Sequence, residues 1–355
     1  MGSAVARPVM VRRDGCRVWL DGVPAFVADQ VSTPIACLSV AMRSLGADCT
    51  YPWLMGVSGH AFRFQLSKGF RPEADGWCGS SPHAACGHNT YRHAVEALPY
   101  RVVPLPCHAQ PADTVAAARA RVTASIDAGI PAVAASEEDT LIVGYVCNGD
   151  ALLRRGPFDA PSQAPQEWTD APWGFSVLDP RPAAPDRSEL VRESLSRAAE
   201  IAWLTETGAE SGRPGSGYDA GLPALDRWAS ELRADAAFGA LDAEALRRVQ
   251  QFNAWIFHSL CDARQAAAAY LPVAAPLAPE ASRPHVEQAG MLYGEVARAL
   301  TATCPATVAP YPGMMAPGET WSQALRHQQA NTLRRAIAYE EPAMEALVLA
   351  AEVAG

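Results

Sequence analysis

The sequence has no run of lysine or arginine, and lysine is sparse throughout. With 29 basic against 38 acidic residues the formal net charge is −9. That balance excludes the electrostatic footprint of a nucleic-acid binder or of a protein held to anionic lipid. No uninterrupted apolar run reaches the length of a membrane span. The opening residues, MGSAVARPVMVRRDG, lack the apolar stretch that a secretory signal needs. The cysteines do not suit a disulfide framework either. There are nine, an odd number, scattered over 355 residues, and they read as reduced thiols in a cytoplasmic protein. No histidine occurs between His108 and His258, and no internal repeat is found. What is present, 49% apolar and 19% charged residues, describes a globular chain of a length that suggests two domains.

The stretch TPIACLSVAMRSLG, residues 33 to 46, stands out. Thr33 suits the N-cap of a helix and Pro34 its first turn, where a missing N–H costs nothing. Leu38, Met42 and Leu45 then recur at helical spacing and make one apolar stripe. At about 100° per residue, Cys37 falls at the edge of that stripe, one turn into the helix. A thiol so placed lies near the positive end of the helix dipole, which favours the thiolate. The competing reading is a small buried core residue, which free cysteine often is.

Along the chain, residues 16 to 27 read as two short strands around Asp21-Gly22, a hairpin signal. Residues 51 to 66 read as a helix passing into an irregular, partly buried segment that carries His60, Phe62 and Arg63. YRVVPLPC from Tyr100 is a predicted strand, followed by an Asp-capped helix over 113–128. Short β runs follow at 131–135, 140–147, 151–155 and 173–179, with Asn148-Gly149 as a two-residue hairpin turn. After residue 180 the pattern is helical. Asp186 to Glu189 has the form of a capping box. A linker is predicted over 207–221, then helices near 222–237, 243–271, 284–303 and 319–352, the last bent at Pro342. Asp262 and Arg264 on the second of these could reach a ligand, with a solvated or interhelical ion pair as the default reading.

The loop DGWCGSSPHAACGHN, residues 75 to 89, carries Cys78, His83, Cys86 and His88. All are zinc-ligand types, but C-x4-H-x2-C-x-H matches none of the common zinc spacings. A loop that turns backbone N–H groups toward a substrate fits its composition better.

Helix-borne Cys37, MGVSGHAFRF, GIPAVAA, LIVGY, a hairpin and ALLRRGPF, in that order, resemble the N-terminal domain of the butirosin biosynthesis protein H family. That domain is related to the papain-like fold of the bacteriocin-processing cysteine peptidases. VLDPRPAAPDRSELVRESLSRAAEIA and NAWIFHSLCDARQAAAAYL are similar to the helical C-terminal part of many family members, so the likeness spans nearly the whole chain. It implies an α+β, papain-like cysteine-peptidase-type domain over 1–182, an N-terminal helix plus antiparallel sheet. An all-α domain over 183–355 would close over the cleft. It also implies cysteine-dependent acyl transfer, which in the butirosin member runs from a carrier-protein thioester to an aminoglycoside amine.

Residue by residue, Cys37 takes the nucleophile position. Gln30, seven residues earlier, stands near the place of the glutamine that donates to the oxyanion hole, where the gap is usually six. The family's general base is a histidine at the start of the strand ending V-G-Y. In EEDTLIVGY that place belongs to Glu138 or Asp139. The Asp-Pro expected after the next strand is Gly156-Pro157, and Asp179-Pro180 lies one strand further on. A carboxylate beside a thiol raises its pKa where an imidazolium would lower it.

The first expectation is therefore a cysteine-dependent acyltransferase, or an amide or thioester hydrolase, acting on a small molecule of secondary metabolism without metal or other cofactor. Cys37 is its nucleophile, His60 or Glu138 its proton-transfer group, and Gln30, Phe62, Arg63, Trp77 and Trp173 bind substrate. His83 or His88 are alternative bases. An acyl carrier protein is a further expected partner, and the helical half has apolar faces enough for a homodimer. The second expectation is a catalytically degenerate binding protein on the same fold, with Cys37 in the core and Glu138 facing a basic ligand, Arg154 or Arg155. A third is a metal- or thiol-reactive protein using the Cys78–His88 loop.

Overall fold

The structure, a computed structural model, describes residues 9–27, 30–67, 89–160, 162–170, 172–202, 204, 206–207, 218–302 and 304–354. In chain order its elements are β1 (Met10–Asp14), β2 (Arg17–Asp21), α1 (Thr33–Ser44), α2 (Tyr51–Val57), β3 (Gln65–Ser67), α3 (Thr90–Glu96), β4 (Tyr100–Pro106) and α4 (Ala112–Asp127). Then come β5 (Ala132–Ala135), β6 (Thr140–Val146), β7 (Ala151–Arg155), β8 (Gln166–Trp168), β9 (Gly174–Pro180) and α5 (Arg187–Ala202). The last are β10 (Glu206–Thr207), β11 (Tyr218–Ala220), α6 (Gly221–Glu231), α7 (Asp235–Gly239), α8 (Ala243–Ala274), α9 (Arg283–Thr301), α10 (Pro305–Val308) and α11 (Gln323–Glu352). The fold is mixed α/β, an antiparallel sheet with helices. Two compact units comprise Met1–Leu54 with Val95–Pro185, and Met55–Ala94 with Asp186–Gly355. The expected single cut at 182/183 lies beside the last of these boundaries, but the segment 55–94, which carries His60, Phe62 and Arg63, belongs with the helices.

In the first unit the sheet runs β1-β2-β6-β5-β9-β4, with β7 on β6 and β8 on β7, every pairing antiparallel. Strand β6 is its axis. β7 covers one edge along the whole strand, while the other edge is shared, β5 against residues 140–142 and β2 against 144–146. The register shifts between Ile142 and Gly144, and a Cβ on Gly144 would stand 2.4 Å from the Val18 carbonyl oxygen. Only glycine lets β2 come this close. Residues 140–145 are all buried, without the alternation of a half-exposed strand. Helices α1 and α4 both pack on β5 and β6, so both faces of the sheet are covered there.

Several expected elements shift, each for a local reason. The hairpin turns at Gly15-Cys16, with Asp14 opposite Arg17, not at Asp21-Gly22. Both Asp14-Gly15 and Asp21-Gly22 offer the turn signal, and Gly15 takes the positive φ of +57° in the turn. Asn148 and Gly149 do take positive φ, but Val146 pairs with Ala151, so the connection has four residues rather than two. Helix α4 starts one residue before the expected 113; Pro111 is at its N-cap, and Asp113 lies in the first turn without capping it.

The second unit is built on α8, α9 and α11, with α5 and α6 packed against α11. Asp242 caps α8 by accepting from the Ala245 N–H at 2.8 Å, and Ser322 caps α11 through Leu325 at 3.3 Å. Asp186 likewise accepts from Glu189, as the capping box predicts. Helix α11 continues through Pro342. The two ends of the predicted linker are strands: Thr207 pairs with Tyr218, and residues 218–220 pair with β3. Residues 208–217 between them lie outside the described residues. Gly56 meets the ring of Tyr270 so closely that a Cβ would sit 2.0 Å from it. No described helix is long and apolar enough to cross a membrane.

Candidate functional site

The candidate site lies in the first unit, where the N-terminal half of α1 meets the loop that joins β5 to β6. The N-cap of α1 is Ser32 rather than Thr33, and its side chain makes no capping bond. Released from capping, the Thr33 hydroxyl accepts the Asp139 N–H at 3.1 Å. The loop 136–139 is closed on itself. The Ser136 N–H donates to Asp139 Oδ1 at 3.3 Å, and its hydroxyl donates to the Glu138 carbonyl at 2.5 Å. These bonds hold two carboxylates against the first turns of the helix that carries Cys37.

Cys37 does not lie at the edge of the buried face, as its angular position predicts. Its exposure is 0%, and the neighbours Ile35, Ala36 and Leu38 are equally sealed. The stripe is wider than the periodicity suggests, because residues 33 and 35–42 are all buried. Burial pushes the thiol pKa well up, and the charges of Asp139 and then Glu138 push it further. A helix dipole contributes about 0.3–1 kcal/mol, up to ~2 in a favourable buried geometry. Burying an unpaired anion costs several kcal/mol, and the adjacent carboxylates add to that cost. Burial outweighs the dipole and favours the neutral thiol. The expectation that Cys37 lies at the rim of the buried face is corrected by this geometry.

Asp139 is itself 6% exposed, and burial raises its carboxyl to about 7, against the opposing hydrogen bond from the Ser136 backbone. Glu138 is half-buried and its pKa is also raised, first by burial, with Thr33 pulling the other way and Glu137 adding to the rise. Glu138 is thus held beside Thr33. Arg154 stacks over Trp168 at 5.6 Å, and Arg155 donates to the Val23 carbonyl at 3.2 Å.

The remaining expected site residues divide between the units. Gln30 is half-buried in the segment before α1. Trp173 is 59% exposed, and its N–H donates to the Ala135 carbonyl at 2.9 Å, which fixes its backbone beside the start of the carboxylate loop. His60, Phe62 and Arg63 belong to the second unit. The Nδ1 of His60 is 2.9 Å from the Thr90 hydroxyl. Phe62 is a core ring, 1% exposed, edge-on to Tyr293 with centroids 5.5 Å apart. His60 and Arg63 border, with Phe64, Ile256, Ser259, Leu260 and Ala263, a cavity of about 20 Å³, room for roughly one water. Trp77, Cys78, His83, Cys86 and His88 lie outside the described residues. Among the described residues no group of three or more His, Cys, Asp or Glu side chains is placed to hold a metal.

Arg264 forms an interhelical ion pair. With Glu340 on α11 it is fully buried, and it also donates to the carbonyls of Ala61 and Arg63, both at 2.9 Å. This is a structural tie from α8 to the 61–63 segment. What periodicity misses at the candidate site is Thr33 as the partner of the carboxylate loop, and Ser136 as its brace. Thr33 reads as an ordinary cap from sequence, since the strand it meets lies about a hundred residues on. Compared with known proteins, the chain matches no family model and no curated protein sequence.

Proposed function

We propose that the first unit is a papain-like domain of the butirosin-H type that has given up cysteine chemistry and acts as a binding module for a small molecule bearing a basic group. The observation that carries this reading is Cys37: wholly buried, with carboxylates where a cysteine hydrolase needs an imidazole. The half-buried Glu138 is the group on this surface that would meet an amine or guanidine, and the exposed Trp173 flanks the same end of the sheet. A protonated ligand there would gain from the carboxylate without any covalent step.

The acyltransferase reading rests on a different observation, the position of Cys37 one turn into a helix that packs on β6. Alkylation separates the two. Native protein treated with iodoacetamide at pH 7 is expected to label Cys16, Cys147 and Cys304, which are exposed, and to leave Cys37 untouched until the chain is unfolded. Labelling of Cys37 faster than of Cys16 would overturn the binding reading and restore the enzyme.

A further inference from the structure

Two of the cysteines that look scattered in the sequence are neighbours in space. Cys16 lies in the β1–β2 turn and Cys147 just after β6, 131 positions apart, yet their sulfurs stand 2.7 Å from each other. The contact continues the strand register. Arg17 faces Val146, so Cys16 faces Cys147, and the Cys147 N–H donates to the Cys16 carbonyl at 2.9 Å. Hydrogen-bonded partners of an antiparallel pair have Cα atoms about 5.5 Å apart, inside the range of roughly 4.4–6.8 Å that a disulfide spans. Both side chains are exposed, so an oxidant reaches them without unfolding.

We propose that Cys16 and Cys147 form a reversible thiol–disulfide couple whose oxidant is a low-molecular-weight disulfide of the glutathione class. Either exposed sulfur can open the exchange, and the balance is the same from both. The Cys16 thiolate attacks the oxidant RSSR and releases RS⁻, leaving a mixed disulfide on Cys16. Cys147, on losing its proton, displaces the second RS⁻ and closes the Cys16–Cys147 bond. One S–S bond breaks and one forms. The two protein thiols give up two electrons and two protons, and the oxidant leaves as two RSH. The closed bond ties the β1–β2 turn to the far end of β6, the strand that begins beside Asp139.

The test is to equilibrate the native full-length protein with a series of oxidised-to-reduced glutathione ratios, quench with acid, block free thiols and map the peptides. The expected result is a peptide cross-linked through Cys16 and Cys147 that grows with the ratio and disappears on reduction. In Cys147→Ser, Cys16 should hold glutathione, at least about tenfold more than in the wild type, because no neighbour displaces it. Wild-type protein carrying glutathione separately on both residues, or a cross-link from either residue to another cysteine, would overturn the proposal. The wild-type map decides the matter even where a variant folds poorly.

Discussion

Asp139 is a carboxyl that native structure prefers protonated. Its pKa of about 7 in the folded protein stands above the ordinary value of 3.8, through burial first. The sign follows from linkage. The folded state binds the proton more tightly, so this residue's favourable contribution is whole below about pH 4 and fades as the pH rises to 7 and beyond. Asp139→Asn keeps an acceptor for the Ser136 N–H and removes the charge. It is expected to raise stability at pH 8 by about 2–4 kcal/mol and to flatten the loss between pH 4 and 7. Urea midpoints at four or five pH values check this, and an unchanged profile would remove Asp139 from its buried position. The sequence named Glu138 and Asp139 as alternatives at the histidine position. It had no means to choose, because only burial distinguishes two adjacent carboxylates, and burial depends on which one the strand turns inward.

At the scale of elements, periodicity and turn chemistry located most of the sheet. The runs at 140–147 and 151–155 are strands over 140–146 and 151–155, since β-branched and leucine residues there are flanked by Asn-Gly. The helix expected over 222–237 instead breaks after Glu231 and resumes at Asp235. Asp235 accepts from Gln323 at 2.6 Å, Arg326 at 3.0 Å and His327 at 3.1 Å. Partners almost a hundred residues away outweigh the local helical preference, and no window of sequence contains them. Gly144 is a comparable case, an apparently weak residue in a strong strand. Gly144→Ala would drive a Cβ into the Val18 carbonyl and the Trp19 Cα, 2.4 and 2.9 Å away, both backbone atoms that cannot swing aside. Destabilisation of about 2–3 kcal/mol is expected, read as a lower urea midpoint with an unchanged m value. A neutral result would mean that β2 does not share the edge of β6.

For the whole molecule, the decisive feature is that residues 55–94 belong with the C-terminal helices. Arg264 relies on the carbonyls of Ala61 and Arg63, Phe64 stacks on Trp228 with centroids 5.7 Å apart, and β3 pairs with β11. A fragment 183–355, the helical domain as the sequence divides it, would leave a buried guanidinium with two carbonyl acceptors missing and uncover the apolar surface around Trp228. It is expected to lack a cooperative thermal transition by circular dichroism, whereas the full chain shows one. A fragment that melts cooperatively would show the helices to be self-sufficient.

The residues alone determined what depends on neighbours within a few positions: the helix beginning at Thr33, the cap at Asp186, and the succession of short strands before a helical half. They also determined that no histidine is available between His108 and His258. Tertiary structure decided what depends on distant partners: that Cys37 is sealed, that Thr33 serves Asp139 rather than its own helix, and that Cys16 meets Cys147. Periodicity reports which face of an element is apolar, but the depth at which that face is buried, and the sign of the charges brought to it, are set by whatever packs against it.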